Sequence, residues 1–116
     1  MHKLSAVALL IAAQLAATVT VQAQAPETPA FFIGNSLMTA LESRGGDRRE
    51  AEGYILGVFD LLAYDKAICP SPKITNQQVL ALVRSRIQDS PQYWDAPAAQ
   101  VVSAFLFSTW RCPGGA

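Results

Sequence analysis

DRREAEGYILGVFDLLAYDKAICP, residues 47–70, decides the fold. Asp47 followed three positions on by Glu50 is close to a capping box, the side-chain pair that satisfies the free amides at a helix start. Ile55, Val58, Phe59 and Leu62 then recur at the spacing of one helical face, while Leu56, Leu61 and Ala63 point elsewhere around the same axis. A helix apolar nearly all round is expected to be the central, most buried element. Gly53 and Gly57 sit one turn apart inside it, and each costs about 1 kcal/mol against alanine in a helix interior. Two explanations compensate for that cost: another helix of the chain crosses closely there, or the two glycines belong to a self-association face. The close crossing is the plainer of the two.

Outward from this helix the chain reads as further helices. Towards the amino end, Leu37, Met38 and Leu41 share a face, with starts available at Thr28-Pro29 or at Asn35 and a stop at Gly45-Gly46. Beyond the Cys69-Pro70 exit, Thr75 and Gln78 form a capping box for a helix with Val79, Leu80, Val83 and Ile87 in one stripe. Ser90-Pro91 ends it. Asp95 is expected to cap a last helix, whose Val101, Val102, Phe105 and Leu106 make a buried face and whose Trp110 extends toward Cys112. No run alternates as a strand does, and no internal repeat occurs. The expected fold is all-α, a small four-helix bundle-like domain.

The first residues bear on where the domain works. His2 and Lys3 precede a long uncharged Ala/Leu/Val run that ends at Val21-Gln22-Ala23, the layout of a secretory signal peptide with a cleavage site. The same run approaches the roughly 20 residues of a membrane anchor, although Gln14, Thr18 and Thr20 interrupt it. Residues 1–23 are therefore expected to be a cleaved signal peptide, with 24–116 as one mature domain whose helical core spans about 31–113. The product is expected in the periplasm and off the membrane after cleavage. In an oxidising compartment the two cysteines, Cys69 and Cys112, are most simply one disulfide, and each is followed by a proline that ends its helix.

Composition removes several functions. Nine basic residues balance nine acidic ones and no basic patch interleaves with aromatics, so nucleic acid is not an expected partner. His2 is the lone histidine and lies in the segment expected to leave, so the mature chain lacks the imidazole that most often activates a nucleophile. With both cysteines bonded, a zinc or copper site would also be short of ligands, and no metal or cofactor is expected. Gly45-Gly46 lacks the Lys-Ser/Thr of a phosphate loop. A carboxylate hydrolase survives elimination, with Asp60 its most interesting acid, but the plainer reading of Asp60 is an exposed position or an ion pair with Arg84 or Arg86. Binding without catalysis becomes the expectation.

SPQYWDAP, residues 90–97, is the stretch most suited to it. Gln92, Tyr93, Trp94 and Asp95 lie in a short proline-bounded loop, and exposed Tyr and Trp are typical anchors of protein interfaces. The alternative for Trp94 is a lid folded over the end of the bundle.

FFIGNSLMTAL, GYILGVFDLL, the Cys69-Pro70 exit, KITNQQVLALV and SPQYWDAPAAQVVSAFLFSTWRCP resemble, in order and spacing, the Rap/Tai family of type VI secretion immunity proteins. The resemblance runs from about Phe31 to Pro113. It implies a small exported helical protein that protects a bacterium against peptidoglycan-cleaving amidases, acting as a homodimer that plugs the amidase cleft. It likewise implies Cys69 and Cys112 as the disulfide, with Gly53, Tyr54 and Gly57 in the helix signature. The loop at Gln92-Tyr93-Trp94-Asp95 departs from the family, which often has an acid, a base and histidine there, so the resemblance carries the fold over without naming the target. A different class of function, a periplasmic module binding a small ligand or cell-wall fragment between its helices, stands as the alternative.

Overall fold

The computed structural model describes residues 30–114. The expected signal peptide, 1–23, and the lead-in as far as Pro29 lie outside the described residues. Four α-helices follow in order, α1 (Gly34–Glu42), α2 (Gly46–Tyr64), α3 (Asn76–Gln88) and α4 (Ala98–Thr109), with a short 3-10 turn at Pro91–Tyr93 before the last. Among the described residues the extended pairing is confined to one isolated antiparallel bridge, Ile33 with Pro97. The fold is all-α.

The stripes read from the sequence make the core. Leu37 and Leu41 of α1, Val79, Leu80, Val83 and Ile87 of α3, and Val101, Val102, Phe105 and Leu106 of α4 are all buried. Ala51 and Ile55 join them from α2, and Ile68 from the segment after it. Every helix starts to be stable through that shared apolar contact, since short isolated helices are marginal in water.

Helix ends are where expectation and structure part. The Thr75–Gln78 box forms: the Gln78 amide donates to Thr75 Oγ1 at 3.2 Å, and the Thr75 amide to Gln78 Oε1 at 2.9 Å. The Asp47–Glu50 box does not form, because α2 already begins at Gly46 and Asp47 sits inside its first turn. Gly45 has φ 82° and ψ −133°, a backbone conformation essentially restricted to glycine, so it serves as the entry to α2 and α1 closes earlier, at Ser43. Asn35 does not start α1 either: Gly34 is its first residue, and Ser36 Oγ accepts from the Ile33 amide at 3.0 Å. Asp95 caps nothing. The helix it was expected to cap starts three residues later, with Pro97 at the cap position.

α2 touches all three other helices, yet only Ala51 and Ile55 are fully buried in it. The expectation of a helix enclosed on every side is corrected. The bundle is too small to cover both faces, so Leu61 remains 60% exposed and Tyr64 85%. A Cβ added at Gly53 or Gly57 would meet nothing within 4 Å, so no helix crosses closely at those glycines.

Cys69 and Cys112 are bonded, with Cα atoms 4.8 Å apart and a separation of 43 positions in sequence. Beside the bridge the Cys69 amide donates to the Trp110 carbonyl at 2.8 Å, and the Trp110 ring meets Phe59 edge to face at 5.5 Å. The exit of α2 and the end of α4 are thus joined by a covalent bond, a backbone hydrogen bond and an aromatic contact.

Candidate functional site

The connection from α3 to α4 is built almost entirely from backbone hydrogen bonds. Pro91 opens the 3-10 turn, where its fixed φ suits the first position and its missing N–H leaves no donor unpaired. The Tyr93 amide donates to Ser90 O at 3.0 Å, Trp94 to Pro91 O at 3.2 Å and Ala96 to Tyr93 O at 3.1 Å. A second set ties this loop to the start of α1. The Asn35 amide donates to Trp94 O at 2.8 Å, Gly34 to Ala96 O at 2.9 Å, and in return Ala98 donates to Phe32 O at 2.8 Å. Amides that would be orphaned at two helix starts therefore find partners in each other's lead-in segments. This replaces the side-chain cap expected from Asp95.

The contact is close enough to specify its residue. A Cβ on Gly34 would lie 2.8 Å from Tyr93 O and 3.1 Å from the Trp94 Cα, both backbone atoms that cannot swing aside. Gly34 was not singled out by sequence reasoning. Its sign in the sequence is only that it interrupts the apolar run FFIG-NSL, and the reason for it lies some sixty residues away.

Within this frame the two adjacent aromatics separate. Trp94 turns inward, partly buried against the core, and its Nε1 donates to the Ile87 carbonyl at 2.7 Å, satisfying an acceptor in the last turn of α3. It is the lid. Tyr93 stays 47% exposed, its ring packed at 6.4 Å and 68° on Phe105 of α4. Gln92 and Asp95 are exposed on either side.

Tyr93 also walls a groove of about 330 Å³ between the end of α3 and the outer face of α4, with Arg86, Ala96, Gln100, Val101, Ala104, Phe105 and Ser108. Apolar surface dominates its interior, and Arg86 supplies a cation at its rim. A ring half out of water, an apolar trough and one charge are the kinds of feature found at protein interfaces.

The remaining sequence candidates are dispersed. Asp60 is exposed on α2 and makes no ion pair with Arg84 or Arg86; among the described residues the one ion pair is Arg48 Nε to Glu52 Oε1 at 2.8 Å. No group of three or more His, Cys, Asp or Glu among the described residues could hold a metal ion. Gly53 and Gly57 lie on α2 along an exposed stripe with Asp60, Leu61 and Tyr64. None of these meets the Tyr93 loop.

The order of the helices, the disulfide after α2 and the clasp between the starts of α1 and α4 all fall inside one matched region. The family model for Rap1a immunity proteins matches residues 33–112, from the bridge residue Ile33 to the second half-cystine. The chain belongs to the Rap1a immunity protein family. No curated protein and no solved structure matches it. Membership of the Rap1a family makes the chain an immunity protein against a secreted effector, so the partner it binds is a protein. Both half-cystines lie within or at the edge of the Rap1a match, and so does the whole Tyr93 loop. No described helix is long and apolar enough to cross a membrane.

Proposed function

We propose that this Rap1a-family protein is a periplasmic inhibitor of a peptidoglycan amidase delivered by type VI secretion, and that it works by occluding the enzyme's active-site cleft. Occlusion asks for a surface that keeps its shape on binding, because every loop ordered at the interface subtracts from affinity. The observation that carries the reading is the pinned loop: Tyr93 is half exposed on a backbone tied to the starts of two helices, with Trp94 locked beneath it. Gln92, Tyr93 and Asp95 are assigned to the amidase contact, and Trp94 to holding them in place. The signal peptide at 1–23 would deliver the chain to the compartment where the amidase attacks.

The outer stripe of α2, with Gly53, Gly57, Leu61 and Tyr64, is assigned to a homodimer contact. Two glycines with open space above them allow a second backbone to approach closely, and the two large apolar side chains add area to bury.

The test is protection. An amidase effector encoded by the same genome, sent to the periplasm, is expected to lyse cells unless this protein is co-expressed. Tyr93→Ala is expected to remove most of that protection while leaving the helical circular dichroism of the purified protein intact, with its thermal transition lowered by the lost contact with Phe105. Equal lysis with and without the protein, across the effectors of that genome, would overturn the amidase assignment.

A further inference from the structure

α3 has a second working flank. Arg84 and Arg86 lie about 200° apart around the helix, so the side opposite the Tyr93 groove carries its own set of polar groups. There, a separate groove of about 250 Å³ lies between the end of α1 and facing stretches of α2 and α3. Leu41 and Leu80, both buried, give it an apolar floor, and its walls hold Arg48, Arg84, Gln77 and Gln88 among others. Arg48 is engaged by Glu52 at 2.8 Å, whereas Arg84 has no acid within 4.0 Å among the described residues. Arg48 and Glu52 cancel, the Glu42 carboxylate is held by Gln88 Nε2 at 3.4 Å, and Arg84 is the lining cation left without an acid partner among the described residues.

We propose that this groove is a binding site for a carboxylate borne on a peptide. The carboxylate would sit on the Arg84 guanidinium, whose fork matches two carboxylate oxygens. The side-chain amide of Gln77 would serve a flanking peptide group, Gln88 Nε2 being already engaged by Glu42 Oε1 at 3.4 Å, and Leu41 and Leu80 would meet the aliphatic carbons. A dianionic phosphate fits less well, since its second charge has no counterpart and faces Glu52. The volume lies just below the roughly 300–1,000 Å³ of sites for drug-sized ligands, which suits one residue with its peptide groups rather than a sugar chain or a nucleotide. An acidic side chain and a free chain terminus present the same group. This site is independent of the amidase reading, as it shares no residue with the Tyr93 groove.

The test is a titration of the isotope-labelled, disulfide-bonded protein followed by amide NMR at neutral pH. Three tripeptides serve as probes: acetyl-Ala-Glu-Ala-amide, acetyl-Ala-Ala-Ala with a free terminus, and acetyl-Ala-Gln-Ala-amide, with inorganic phosphate as a fourth. Saturable shifts at Ala81, Arg84 and Ser85 are expected with a carboxylate peptide and not with the neutral one. Response to the glutamate peptide alone identifies a side-chain carboxylate; response to the free terminus identifies a chain end. Arg84→Gln is expected to weaken binding at least about tenfold, and Arg48→Gln, which turns Glu52 loose on the groove, to weaken it as well. Arg111→Gln removes the same charge elsewhere and is expected to change little. No saturable shift at millimolar peptide, equal response to the neutral peptide or to phosphate, or unchanged binding in Arg84→Gln would overturn the proposal. None of these outcomes bears on protection against an amidase.

Discussion

Gly34 shows how much one missing methyl group can hold. Alanine there would drive a Cβ into the Tyr93 carbonyl and the Trp94 Cα, so the loop or α1 must shift. Gly34→Ala is expected to destabilise the protein by about 1–3 kcal/mol, the usual range for overpacking, measured as a lower urea midpoint. Faster hydrogen exchange at the Asn35 amide is expected with it, because that amide donates to Trp94 O. Nothing in the local sequence announces this role, as a close approach between residues 34 and 93 exists only once the chain has folded. Tyr54 makes a second residue-scale case. Burial beside Phe32 pushes its phenol above the ordinary tyrosine range, and the Ala99 amide draws it back only in part. The native state therefore holds that proton more tightly than the unfolded chain does. Its contribution is complete below about pH 10, where unfolded tyrosine begins to ionise, and is lost as pH rises through the raised native value. Tyr54→Phe is expected to flatten the fall in the urea midpoint between pH 9 and 11.

The helices were legible as elements wherever their apolar stripes and caps are local. The α3 stripe and its Thr75–Gln78 box were read directly, since both sides of that pairing lie within four residues. The Asp47–Glu50 and Asp95 caps were misread for one shared reason: backbone partners or a glycine conformation took the place of the side chain. α2 was misread differently. Its composition reports how apolar the helix is all round, and only the number of neighbours in the fold decides which half gets covered. Leu61 and Tyr64 stay in water on the face that carries Gly53 and Gly57. If that face pairs two copies, Tyr64→Glu is expected to shift the protein from dimer to monomer in sedimentation velocity without changing its helical content. A wild-type protein that sediments as a monomer at high concentration would remove the dimer contact.

At the scale of the molecule, one sulfur bridge closes a span of 43 positions around α3 and α4. The chain-entropy model assigns such a loop about 4 kcal/mol, a large share of the roughly 5–15 kcal/mol that holds a small domain folded. Reduction, or Cys69→Ala with Cys112→Ala, is expected to lower the urea midpoint strongly and to leave the helical order intact below it. The pairing could be anticipated because two cysteines allow one intramolecular partner each. The juxtaposition of the two helix starts could not, because bridging Ile33 to Pro97 depends on how all four helices settle. The Tyr93 loop was identified as a candidate from its aromatics, while which ring faces water was decided by Trp94 reaching the Ile87 carbonyl.

The clasp between Phe32–Asn35 and Trp94–Ala98 makes the competence of the loop a late event. Its two halves are held in place by each other, so a nascent or partly melted chain has no way to display Tyr93 correctly. If the Tyr93 loop is the partner contact, capture is all or none, and its loss with increasing urea is expected to superimpose on the collapse of the whole domain.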